Sequence, residues 1–100
     1  MEYLVDLGFS DSDIVDIVNN NYQYVIDNLA LNKNNIIDIV RYLLHIGVDK
    51  TSVKDIFVYQ VNLFFKTKTE IETTFDEYEL DSIVKSLNFD ANNVELIDFI

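Results

Sequence analysis

The sequence has 100 residues, no cysteine, no proline, and eighteen acidic against seven basic side chains, for a formal net charge of -11. An apolar fraction of 49% is enough for one core and sets the disordered class aside. The missing thiols exclude disulfide frameworks, thiolate metal sites and cysteine nucleophiles, and fit a reducing, cytoplasmic setting. The carboxylate excess repels phosphate backbones, so direct binding of nucleic acid is not expected.

No stretch approaches the ~18 consecutive apolar residues of a membrane span, and Met1 to Asp6 lacks the basic-then-apolar order of a secretory signal. The chain reads as soluble, with no membrane association expected.

In chain order, a short helix over the first residues is expected to stop at Gly8, where glycine adopts a left-handed C-terminal turn at little cost. Ser10 then suits the N-cap of a second helix, with Asp13 three residues on as a capping box built with the shorter acid. Asn19-Asn20-Asn21 interrupts, and Tyr22 to Ile26 leaves room for a turn or two of helix. From about Asn32 to His45, the residues Ile36, Ile39, Val40, Leu43 and Leu44 follow the i, i+3, i+4, i+7, i+8 spacing of one helical face. Gly47 repeats the turn and Asp49 the cap. Ile56 to Phe65 is apolar and aromatic enough that a strand competes with helix there. Lys66-Thr67-Lys68 reads as a solvated loop. Ile71, Phe75, Tyr78, Ile83, Val84 and Leu87 predict one helix over about Glu70 to Ser86, after which Asn88 takes the glycine's place and Asp90 the cap's.

These punctuation marks recur at fixed distance. Tyr3-Leu4-Val5-Asp6-Leu7-Gly8-Phe9-Ser10 aligns with Tyr42-Leu43-Leu44-His45-Ile46-Gly47-Val48-Asp49 at an offset of 39 residues. Leu87-Asn88-Phe89-Asp90 answers Ile46 to Asp49 at an offset of 41. The reading is a single domain over residues 1–100, all-α, built from two and a half helix-turn-helix units of about 40 residues, as an orthogonal bundle or short solenoid.

Leu7-Gly8-Phe9-Ser10 with Ile14 and Ile17, and Ile46-Gly47-Val48-Asp49 with Val53 and Ile56, resemble the repeat of the mitochondrial transcription termination factor family. The resemblance covers most of the chain and rests on apolar spacing and one glycine per unit. It implies stacked helical repeats and, for that family, a basic concave face that tracks nucleic acid. This sequence departs from the pattern, with Tyr22 and Val61 where that family carries proline and a charge of the opposite sign. Residues Tyr3 to Leu31, with the Gly8-Phe9 turn, also resemble a ubiquitin-associated domain, which implies a three-helix binding module.

Candidate chemistry is sparse. Asp11, Asp13 and Asp16 form the densest acidic group of the first unit, but an EF-hand starting at Asp11 would need glycine where Asp16 stands and an acid where Tyr22 stands. An acidic first turn that complements the helix dipole is the better reading. His45, the sole histidine, suits a helix C-terminus. Phe57, Tyr59, Phe64 and Phe65 are expected to fill the core of the central unit. No cofactor, metal or catalytic set is expected.

The C-terminal Leu96-Ile97-Asp98-Phe99-Ile100 falls part-way through a third unit, and repeat units bury their apolar faces against a neighbour. This segment is expected either to dock back on the preceding unit or to present Leu96, Phe99 and Ile100 to a partner. The function expected is therefore a non-catalytic, acidic protein-interaction module, binding another protein or itself. The alternatives are a nucleic-acid or transcription role through the termination-factor resemblance, and a ubiquitin-associated-like module.

Overall fold

The two glycine turns set the course of the chain. The computed structural model describes residues 1–99. It places α1 at Tyr3–Asp6, α2 at Asp11–Asn19, α3 at Gln23–Leu31, α4 at Lys33–Ile46 and α5 at Lys50–Tyr59. A 3-10 turn follows at Val61–Phe65, then α6 at Lys68–Phe75, α7 at Leu80–Phe89 and a second 3-10 segment at Ala91–Leu96. The chain is all-α, and no strand occurs among the described residues, so Ile56 to Phe65 is helix and turn.

Gly8 and Gly47 have φ of +96° and +112°, the left-handed values that the turn requires. In both, the helix end is closed by the same pair of bonds. Gly8 N–H donates to the Val5 carbonyl and Phe9 N–H to Leu4, at 3.0 and 3.1 Å; Gly47 N–H donates to Leu44 and Val48 N–H to Leu43, at 3.2 and 3.0 Å. This double closure is the Schellman motif, and the residue after the glycine packs on the helix it terminates. Accordingly Phe9 and Val48 are only 3% and 2% exposed.

The turn expected at Asn88 does not form. Asn88 lies inside α7, and no residue other than glycine has positive φ among the described residues. A left-handed backbone costs a non-glycine residue about 1–2 kcal/mol, and the Asn88 side chain has another use. Its Nδ2 donates to the Gly47 carbonyl at 3.1 Å, and its Oδ1 accepts from Asp49 N–H at 2.8 Å. The helix therefore runs on through Phe89, which at 88% exposure is the opposite of its counterparts Phe9 and Val48.

Caps follow residue by residue. Ser10 and Asp13 form the reciprocal capping box, both bonds at 3.1 Å. Asp49 occupies the N-cap of α5 without a side-chain bond to it. Asp90 caps as expected, accepting from Asn92 N–H at 2.9 Å, but what it starts is the 3-10 segment. Thr67 is an exposed residue between the 3-10 turn and α6, and it also caps that helix, its hydroxyl accepting from Glu70 N–H at 3.1 Å.

Two helix lengths differ from expectation. Tyr22 to Ile26 is the start of a nine-residue helix, α3, whose last turn is closed by Asn32 donating to the Asn28 carbonyl at 2.8 Å. The single helix expected over Glu70 to Ser86 is two, α6 and α7, with Asp76 to Glu79 between them. That linker carries Asp76, Glu77 and Glu79, charges that oppose the dipole at the end of α6 and suit the start of α7. The break also lets Ile71 and Phe75 bury with α6 on α4, while Ile83 and Leu87 bury with α7 on α5.

At the centre, Phe57 and Phe64 stack with ring centroids 3.7 Å apart and planes 5° apart, and Phe9 meets Phe57 edge-on at 6.4 Å. All three are buried, whereas Tyr59 and Phe65, expected alongside them, are exposed. Asn21 ties α2 to α5 by donating to the Ile17 and Phe57 carbonyls at 2.8 and 3.0 Å. The overall extents are 33 × 23 × 22 Å.

Gly47→Ala forces alanine into a left-handed backbone, with its Cβ 3.3 Å from Val84 Cγ1. It is expected to lower the unfolding free energy by about 1–2 kcal/mol, read as a lower urea midpoint at unchanged slope.

Tyr3 Oη donates to the Leu29 carbonyl at 2.9 Å, and burial pushes its pKa up to about 12. An unfolded tyrosine ionises near pH ~10, so the folded state holds this proton longer. The contribution is complete below that pH and is lost as pH rises from about 10 to about 12. Unfolding midpoints measured across this window should fall more steeply for the native chain than for Tyr3→Phe.

Candidate functional site

Two of the depressions on the surface of the described residues stand out. The larger, about 570 Å³, lies along one face of α4, where Asp38, Arg41, Tyr42 and His45 recur at i, i+3, i+4 and i+7, and Lys68 reaches in from the start of α6. Of its charged side chains, Lys68 is the one found in an ion pair among the described residues. Lys68 Nζ sits 2.6 Å from Glu72 and 5.8 Å from the Tyr42 ring centroid, and the Glu72 carboxylate raises its pKa. His45 is exposed in the last turn of α4, the place its charge preference suggests. Burial, reinforced by Asp76 and Glu72, raises the Tyr42 pKa, and its buried hydroxyl has no hydrogen-bond partner.

The second depression, about 310 Å³, is a groove between α7 and the segment that follows it. Glu79, Ser82, Ile83 and Ser86 supply the α7 wall, Leu96 and Ile97 the other, and Tyr78 one end. Two hydrogen bonds tie the walls to each other. Asn93 Nδ2 donates to the Ser86 carbonyl at 2.8 Å, and Asp98 N–H donates to Tyr78 Oη at 3.2 Å. Ile83 is buried, Ile97 half-buried, and Leu96 stands 74% exposed at the lip.

The residues expected to meet a partner are thereby separated. Leu96 borders the groove. Phe99 folds back instead, 6.2 Å from the Phe75 ring and with Lys66 Nζ 4.6 Å above its own. Ile100 lies outside the described residues.

The acidic group of the first unit is also dispersed: Asp13 belongs to the capping box, and Asp16 is 3.5 Å from Lys54. Desolvation opposes the Lys54 charge, but Asp55 and Asp16 outweigh it and raise its pKa. No three His, Asp or Glu side chains among the described residues converge as a metal set would, and no helix among them is long and apolar enough to cross a membrane.

Electrostatics distinguish the two depressions. From Asp76 to Phe99 the sequence carries seven carboxylates, Asp76, Glu77, Glu79, Asp81, Asp90, Glu95 and Asp98, against Lys85 alone. None of the seven is within 4.0 Å of a cationic nitrogen among the described residues. Both depressions escape a reading by local motif, since each joins residues from separate helices; the α4 stripe is the one part that helical spacing signals.

Comparison with protein-family models, with curated proteins and with solved structures finds no match. A functional reading has to come from the surface chemistry itself.

The unpartnered Tyr42 hydroxyl offers a direct check on the α4 depression. A buried polar group without a partner costs about 1–3 kcal/mol, so Tyr42→Phe, which keeps the ring on Phe75, is expected to stabilise the chain by about 1 kcal/mol in urea unfolding.

Proposed function

We propose that the protein is a non-catalytic interaction module whose carboxylate-rich surface binds a basic protein partner. One observation carries this reading. Of eighteen carboxylate side chains, only Asp16, Asp55 and Glu72 have a cation within 4.0 Å among the described residues. The rest give a body of 33 × 23 × 22 Å a strongly negative surface, which the countercharge of a basic partner would offset.

Such a field steers a basic partner into encounter and rejects acidic competitors. Affinity then comes from apolar contacts, and large apolar side chains stand exposed among the acids: Tyr22, Tyr24, Leu31, Phe89 and Leu96. Tyr22 and Tyr24 stack at 5.8 Å, a rigid pair with little side-chain entropy left to lose. The termination-factor resemblance points instead to nucleic acid, and the charge opposes that.

Selection from a random peptide library displayed on phage separates the two. Recovered peptides are expected to combine lysine or arginine with apolar residues and to bind more weakly as salt rises, while labelled duplex DNA shows no binding at low salt. A duplex that binds at low salt, with no peptide enriched, would overturn the proposal in favour of the nucleic-acid reading.

A further inference from the structure

Resting on that reading, we infer that the α7 groove is the docking site, and that its occupant is a basic segment of a partner protein inserting an apolar side chain between Ile83 and Leu96. Size is the first argument. At about 310 Å³ the groove is at the bottom of the roughly 300–1,000 Å³ range of small-molecule pockets. It has room for a large side chain and is open along its length.

Its readiness is the second. Leu96 stands 74% exposed at the lip. Here the 3-10 segment that carries Leu96 is pinned from two sides. Asn93 bonds to the α7 carbonyl of Ser86, and Gln60 Nε2 of the α5 cap donates to Asn92 Oδ1 and Glu95 Oε1 at 3.0 and 2.9 Å. A groove whose walls are fixed in this way loses little freedom when it is filled, so more of the contact energy appears as affinity.

Charge chooses the occupant. Glu79 forms part of the groove wall, and Asp98, whose N–H is held by Tyr78, flanks its end. With seven carboxylates against one lysine from Asp76 to Phe99, none of the seven within 4.0 Å of a cationic nitrogen among the described residues, an anionic ligand is repelled. A second copy of the chain, itself at -11, is repelled for the same reason. An apolar side chain flanked by lysine or arginine satisfies both floor and rim. Neither half of this chemistry suffices alone: the apolar floor fixes register, and the rim selects sign.

The test uses an amphipathic Lys–Leu peptide as probe, its Glu–Leu counterpart as control, and ¹⁵N-labelled full-length chain. Amide shifts on adding the Lys–Leu peptide are expected at residues 78–86 and 93–98, with none from the control. Ser82→Arg, which brings bulk and positive charge to the wall, and Leu96→Ser, at an exposed position, should each weaken binding about tenfold or more, a loss of ~1.4 kcal/mol, with thermal unfolding unchanged. Shifts centred on α2 and α3, or undiminished affinity in both variants, would overturn the groove and leave the interaction module standing. If the probe binds nowhere while phage-selected peptides bind, the assigned chemistry is wrong; if neither binds, the module reading falls with it.

Discussion

A backbone that must turn left-handed at two points governs much of this fold. At Gly8 and Gly47 the chain leaves a helix with φ of +96° and +112°, a geometry whose price for any residue with a Cβ is steric. From that single condition the rest follows in order. The double hydrogen-bond closure forms, the next residue is thrown inward, and Phe9 and Val48 reach the core. Phe9 in turn meets Phe57, which stacks on Phe64, so the first turn and the central helix share one aromatic cluster. Where glycine is absent, at Asn88, the helix continues and Phe89 remains outside. The contrast between Phe89 and its two counterparts isolates what one missing side chain achieves.

Charge and packing are divided between inside and outside with little overlap. The buried side chains are almost all apolar, with Ser52 and Thr74 the polar exceptions among the described residues. Carboxylates stay at the surface, where water screens them. The few ion pairs lie at partly exposed positions and each is worth about 0–1 kcal/mol at most. Stability therefore comes from the core and the turns, and the surface is left free to be strongly acidic. That separation is what allows a chain of this size to carry a one-sided charge and still fold.

Much of the architecture was legible from local chemistry. The Ser10 capping box, both glycine turns and the buried stripe Ile36, Ile39, Val40 and Leu43 are each decided within a few residues, and each is found as read. The misreadings arose where a distant partner decides. Asn88 reads as a glycine substitute until its side chain is seen to hold the Gly47 turn. The break between α6 and α7 depends on which helix each apolar pair must cover, and the acidic run Asp76 to Glu79 was the overlooked local clue. At the C-terminus, sequence treats Leu96 and Phe99 alike. Only the positions of Phe75 and Lys66 show that Phe99 is claimed and Leu96 is not. The groove itself has no signature in the sequence, because its walls come from either side of the Asp90 cap.

The Asn88 contact bears on how the chain comes apart as well as on how it is built. Helical arrays commonly melt piecemeal, since each unit touches only the next and the end units open first. Here a side-chain amide, placed like a peptide group, joins both polar ends of the Gly47 turn from 41 residues downstream. Gln60 grips the 3-10 segment from a similar distance. Opening α7 would break both of these bonds and leave the Asp49 N–H and the Gly47 carbonyl to water. Asn88 on α7 thus acts as a clasp on the turn between α4 and α5. These bonds join α7 and the segment after it to the turn between α4 and α5 and to the end of α5.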